Sequence, residues 1–395
     1  MTKYIVVLAA ALCALAGSAA AETVVKVGVI LTYSGTEAQT GDQIDKGLKL
    51  YVKEHETDLP PGVKVELIFR DDTGPNPETA KRLATELITR DHVQLLTGVV
   101  WTPNAAAIAP VTAESKTPFV IMNAAGVTIP RLSPYVVRVS YTLPQLVTPL
   151  GKWAAQQGWK TGYTAVPDFA PGHESEGAFI KAFTEGGGKI LGSVRYPVIN
   201  PDFTPFFARI KDIHPDVLYV FNIAGKQSTT IVKTMGDLGI LAAGIHPVSG
   251  VDMTTDEELP NMGDLPLGIN SSSNYSPSAT RPQNLAFRAA WRRAYGDTLL
   301  PNFFAVGGWD GMAAIFDLVT ATKGEFDGDK AMAFFKNWKN PDSPRGPIAI
   351  DPETRDIVQN VYIRRVEKVD GRLMNVEFQT FPNVKDPWKE QNPPK

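Results

Sequence analysis

His173-Glu174-Ser175 is a suggestive cluster in this 395-residue chain, because it sets a base, an acid and a hydroxyl side by side. The pattern from Glu174 to Thr184 reads as a helix, however, and adjacent residues on a helix point in different directions. The three therefore cannot form a nucleophilic triad among themselves, and they read as a helix N-terminus. Asp72-Thr73-Gly74 spells the tripeptide of aspartic proteases, but that chemistry needs two such loops sharing one proton, and the chain carries one. It reads as a solvated turn before a helix capped by Asn76 with Pro77 behind it. The histidines (55, 92, 173, 214 and 246) are scattered without metal-ligand spacing. No GxGxxG, Walker-type loop, GxSxG elbow or HExxH occurs. Gly186-Gly187-Gly188 follows a helix and precedes a strand, the reverse of a phosphate-binding loop. Neither catalysis, nor a metal, nor a cofactor is expected.

Composition narrows the field further. Lys plus Arg number 39 and Asp plus Glu 42, so no basic excess exists to grip a phosphate backbone, and nucleic acid is excluded as a partner. Hydrophobic residues at 43% and charged residues at 21% are those of a soluble globular protein, long enough for two domains. Lys3 precedes an apolar run, Tyr4 to Gly17, that closes on Ala19-Ala20-Ala21. This is the pattern of an export signal over residues 1–21, cleaved after Ala21. The sole cysteine, Cys13, lies inside it behind Leu12, a poor fit to a lipidation signal. The processed chain then has no thiol, which excludes thiolate chemistry and disulfides.

The elements that must position any site alternate. Val24 to Leu31, Val63 to Phe69, Gln94 to Val100 and Pro118 to Met122 read as strands, as do Tyr163 to Val166, Lys189 to Tyr196 and Val217 to Phe221. Between them fall helical patterns: one after Asp42 as cap, one from Pro77, one from Thr102-Pro103, then 174–184, 203–213 and 227–238. Such alternation means βαβ crossovers and doubly wound, mostly parallel sheets. Two further helices, 283–295 and 303–322, precede a hairpin turning at Asp370-Gly371.

Doubly wound sheets bind ligands at the carboxyl ends of their strands. Those ends are Thr32-Tyr33-Ser34-Gly35 with Thr40-Gly41-Asp42, Trp101-Thr102-Pro103, and Asn123-Ala124-Ala125-Gly126. Thr102 opens a helix, where a hydroxyl and free backbone N–H groups suit a carboxylate and equally suit a simple cap.

The order and spacing of Val27-Gly28-Val29 through Ser34-Gly35, Gly41-Asp42, Asp71-Asp72 before Asn76-Pro77, Trp101-Thr102, Asp168 to Gly172, Gly346-Pro347-Ile348 and Asp351 to Gln359 resemble a known family. It is that of the periplasmic solute-binding proteins of branched-chain amino acid ABC transporters, the leucine-binding type. The resemblance implies a type I periplasmic-binding fold, two α/β lobes joined by three crossovers with ligand in the cleft. It places residues 22–142 and 274–346 in the first lobe, 143–273 and 347–381 in the second, and leaves 382–395 as a solvated tail. Ser34, Thr102, Asn123, Ala124 and Ala125 would serve from the first lobe, Phe169, Asn222 and Asp252 from the second, and Tyr275 from the second crossover. Asp252 falls at or beside the acid that holds a ligand ammonium in the family. The family's disulfide has no counterpart, with Gly74 and Trp101 near those positions.

Tyr33, Trp101, Phe169 and Tyr275 would line the pocket with rings, which suits a flat aromatic acid as well as a leucine-like side chain. The expectation is a periplasmic monomer that captures a small solute, a branched-chain or related amino acid or else an aromatic acid, and delivers it to an ABC permease. An exported α/β hydrolase and a sensory subunit are the rival readings. Exported material is predicted to begin at Glu22 and to carry no lipid. N-terminal sequencing that finds Cys13 retained or acylated would reject the cleavage site.

Overall fold

Val27 to Leu31, apolar with β-branched Val27, Val29 and Ile30, lie in an interior strand of a sheet, and each is buried. In the computed structural model, which describes residues 22–35 and 38–393, this strand is β1 (Thr23–Leu31). The export signal read at 1–21 lies outside the described residues. With β2 (Val63–Asp71), β3 (Leu95–Gly98), β4 (Phe119–Ile121) and β5 (Val136–Arg138) it forms a parallel sheet in the order 2-1-3-4-5. The second sheet repeats that order with β6 (Thr161–Pro167), β7 (Lys189–Tyr196), β8 (Val217–Val220), β9 (His246–Ser249) and β10 (Asn270–Ser273), arranged 7-6-8-9-10.

Beyond β10 the second sheet turns antiparallel. β13 (Ile357–Val369) pairs with β10, with β14 (Arg372–Val384), and at its start with β12 (Ile348–Ile350), which in turn pairs with β11 (Lys339–Asn340). Asp370 and Gly371, at φ 49° and 80°, make the hairpin turn. That requirement for two positive φ values explains the Asp-Gly pair. The helices Pro282–Tyr295 and Phe303–Thr322 return to the first lobe. There the helix Ala38–His55 approaches so closely that a Cβ on Gly47 would lie 2.0 Å from the Ala305 carbonyl oxygen.

Five expectations need correction. The first helix starts at Ala38, not after Asp42, and Asp42 instead pairs with Lys46 one turn on. The stretch 203–213 breaks into two short helices, 204–207 and 210–213. Asp72 is fully buried, not solvated, because Thr32 Oγ1 (2.7 Å) and Asn104 Nδ2 (2.8 Å) donate to its carboxylate. The region after 381 is not a solvated tail: β14 runs to Val384, and Asp386 and Lys389 are buried around the helix Pro387–Gln391. Proline and lysine there misled the reading, since Pro387 starts a helix whose Lys389 pairs with buried Asp356. Residues 339–340, expected in the first lobe, pair into the second sheet.

The three crossovers meet at one buried guanidinium. Arg345 Nη1 donates to Ser140 O (3.0 Å) and Gln359 Oε1 (2.7 Å), and its Nε lies 2.8 Å from Asp310. Gln359 Nε2 donates to Ser140 O (3.0 Å) and Gln145 Oε1 (2.8 Å), and Asn274 Nδ2 donates to Gln359 Oε1 (3.1 Å). Breaking a buried ion pair leaves an uncompensated charge. Arg345→Met is therefore predicted to destabilise the fold by about 3–5 kcal/mol in urea unfolding; a loss below about 1 kcal/mol would show that Asp310 finds other solvation.

Candidate functional site

The carboxyl ends of the two parallel sheets face each other across a cleft lined by loops of both lobes. On the first lobe the helix Thr102–Ser115 starts at the cleft wall. Its Thr102 Oγ1 accepts from Gly126 N–H (3.1 Å), and Pro103 in the first turn has no N–H to satisfy. A helix N-terminus carries partial positive charge, so this wall favours an anion. Asn123 Nδ2 donates to Val100 O (2.9 Å) and its Oδ1 accepts from Tyr141 O–H (3.4 Å), tying the loop after β4 to the first crossover. Burial and the charge of Asp252 push the Tyr141 phenol well above its ordinary value, so it stays protonated as a donor.

The second lobe supplies acceptors and rings. Phe221 directly follows β8, and its ring lies parallel to that of Phe169, 6.4 Å away at 7°. Asn222 is buried; its Nδ2 donates to Ile223 O (2.8 Å) and Ser228 Oγ (3.1 Å), while its Oδ1 has no partner among the described residues. Ser228 Oγ donates in turn to Asp252 O (2.7 Å), which ties the loops after β8 and β9 together.

Of the residues expected from sequence, Thr40, Trp101, Thr102, Asn123, Ala125, Phe169, Asn222 and Asp252 line this cleft. Four others do not. Tyr33 turns into the helix Ala38–His55, where its O–H donates to Asp45 (2.8 Å). Ser34 is exposed and hydrogen-bonded to Asp71, whose carboxyl is held below its usual range by that bond and by the Tyr33 and Thr73 N–H groups, against its own partial desolvation. Ala124 is buried with its carbonyl accepting from Arg138. Tyr275 is buried at the second crossover, with its O–H donating to Asn284 (2.8 Å). Sequence reading missed Tyr141, Leu143, Phe221 and Phe304, which also line the cleft. Phe221 had a signal, as the neighbour of Asn222 at a strand end. Tyr141 and Leu143 follow a strand of only three residues, and Phe304 was absorbed into an apolar helix pattern.

The lobes touch around the cleft rim. Val127 N–H donates to Glu174 Oε2 (3.2 Å), Asn302 Nδ2 to Glu257 Oε1 (2.8 Å), and Arg372 Nη2 to Thr298 O (2.8 Å). The closed arrangement is thus held from both sides.

Comparison with known proteins agrees with this geometry. Residues 24–372 match the model of a family described as periplasmic binding protein. The chain is 38% identical over 386 residues to a Leu/Ile/Val-binding protein homolog from Brucella melitensis, covering 98% of each. Among solved structures it resembles a solute-binding protein of an ABC transporter from Rhodopseudomonas palustris BisB5 in complex with 3,4-dihydroxybenzoic acid. Identity is 44% and TM-score 0.89, covering 93% of this chain and 100% of that one. A second R. palustris solute-binding protein, in complex with 4-hydroxybenzoate, is 41% identical with TM-score 0.88, covering 92% and 99%.

Burial pushes Glu257 from 4.5 up to about 7, against the bond from Asn302. A carboxyl raised on folding stabilises fully below its unfolded value near 4.5, and that contribution is lost as pH rises through about 7. Glu257→Gln keeps an acceptor for Asn302 and removes the ionisation. It is predicted to gain about 1–3 kcal/mol over wild type at pH 8 and nothing near pH 4. Parallel pH profiles for the two proteins would assign the titration elsewhere.

Proposed function

Since the chain belongs to the periplasmic binding proteins and is a solute-binding protein of an ABC transporter, we propose that it captures an aromatic carboxylic acid of the hydroxybenzoate kind and presents it to its membrane permease. Proteins of this class bind and release their solute unchanged, so no catalytic step is involved. The observation that carries the choice is the ring-lined cleft: Trp101, Tyr141, Phe169, Phe221 and Phe304 surround it, between a helix N-terminus on one lobe and the unpaired Oδ1 of Asn222 on the other. A flat ring gains contact with aromatic walls, its carboxylate meets Thr102 and the backbone N–H groups beside it, and a ring hydroxyl satisfies Asn222. The ligands named for the two R. palustris neighbours fit that pattern.

A branched-chain amino acid is the second reading. It is favoured by Asp252, a carboxylate in the cleft wall, and by the name of the Brucella relative. An ammonium would pair with Asp252, whereas a neutral ring would not need it. Closure of the lobes over either ligand follows from contacts that only the closed form makes. We further propose that the working protein is a periplasmic monomer released by cleavage after Ala21.

Calorimetric titration decides between the ligands. 4-Hydroxybenzoate is predicted to bind about tenfold more tightly than benzoate, one hydrogen bond's worth, with Asn222→Ala removing that preference. Thr102→Ala is predicted to weaken both acids about 5- to 30-fold, and Asp252→Asn to change neither by more than about threefold. Tight binding of leucine that Asp252→Asn abolishes would replace the aromatic reading with the amino-acid one.

A further inference from the structure

Arg138, the last residue of β5, is fully buried and takes no part in lining the cleft. Its Nη1 donates to two carbonyls of the loop after β4, Ala124 O (2.9 Å) and Gly126 O (2.8 Å). Its Nε donates to Asp356 Oδ1 (2.7 Å) on the third crossover, and Asp356 also pairs with Lys389 of the C-terminal helix. In a trans peptide the C=O and the following N–H point in opposite directions. Drawing Ala124 O back toward Arg138 therefore turns Ala125 N–H away from it, and Ala125 lines the cleft. Drawing Gly126 O back turns Val127 N–H outward, where it meets Glu174 of the opposite lobe at 3.2 Å. Between them Gly126 N–H is held by Thr102 Oγ1.

We propose that Arg138 is the positioning residue of the loop Asn123–Val127: it aims one amide at the solute carboxylate and a second at the closing lobe, so that one guanidinium couples capture to closure. The carboxylate half rests on the aromatic-acid reading above; the interlobe half does not. Asp356, itself paired with Lys389, holds the guanidinium from behind, which gives the third crossover and the C-terminal helix a part in the same device. Only the planar fork of arginine reaches two carbonyls and a carboxylate at once, so lysine cannot replace it.

The test uses Arg138→Lys, Glu174→Ala and the double variant of the full chain. Hydrogen exchange of the 123–128 segment, measured without ligand, is expected to quicken about tenfold or more in Arg138→Lys. By calorimetry that variant is expected to lose about tenfold or more in affinity for 4-hydroxybenzoate and less than about threefold for the uncharged 4-hydroxybenzamide. Glu174→Ala is expected to weaken acid and amide alike, and to add nothing in the Arg138→Lys background. Equal losses for acid and amide in Arg138→Lys, unchanged exchange at 123–128, or an undiminished Glu174→Ala effect in the double variant would reduce Arg138 to a purely structural residue and overturn the proposal. If the wild type binds neither compound, the aromatic-acid reading fails, and the exchange measurement still decides the positioning role. If Arg138→Lys does not fold, exchange at Val127 in Glu174→Ala decides: faster supports the coupling, unchanged overturns it.

Discussion

The geometry of the cleft depends on the buried pair of Arg345 and Asp310 and on the carbonyls and amides gathered around it. Each lobe repeats the same five-strand parallel order; the largest apolar cluster runs through both lobes, and each lobe adds a further cluster of its own. The lobes are joined where residues 139–145, 274–276 and 343–360 pass side by side, and Arg345 with Gln359 bonds to Val139, Ser140, Gln145 and Asn274 there. Removing either partner of a buried guanidinium–carboxylate pair leaves an uncompensated charge. The crossovers therefore hold one another in place, and motion is left to the lobes on either side.

Around that fixed line the cleft is polarised. The first lobe presents the start of a helix and donor groups, and the second presents Asn222 and Asp252. Rings line the space between the two ends, and a polar contact made against such low-dielectric walls is stronger than one in bulk water. The rim contacts of Glu174 and Glu257 lie outside the ring-lined space, so closure and recognition use different side chains. Burial raises the carboxyls of both.

Much of the fold was legible because local signals agreed with one another. Asn76 caps its helix as read, accepting from Thr79 N–H at 3.1 Å with Pro77 at the first turn. The limits of β7 and of the helix Phe303–Thr322 coincide with the apolar patterns. The failures have physical causes. β5 has only three residues and, unlike β4, no unbroken apolar run that marks it as a strand. The helix Pro387–Gln391 is stabilised by an ion pair to a crossover residue distant in sequence, so its composition alone reads as solvent-exposed.

The sequence by itself determined that this is an α/β chain with loops at strand ends, because periodicity and caps are local properties. It also placed Thr102, Asn123, Phe169, Asn222 and Asp252 in those loops. Only the tertiary structure decided which loop side chains line the cleft. Tyr33 and Trp101 both stand at strand ends, yet Asp45 captures the phenol of Tyr33 while the indole of Trp101 remains at the cleft. Tyr141 and Phe304, more than 160 residues apart, become neighbours of one pocket only when the crossovers have folded. A side chain's direction is settled by the partners it meets, and those partners are brought by the fold.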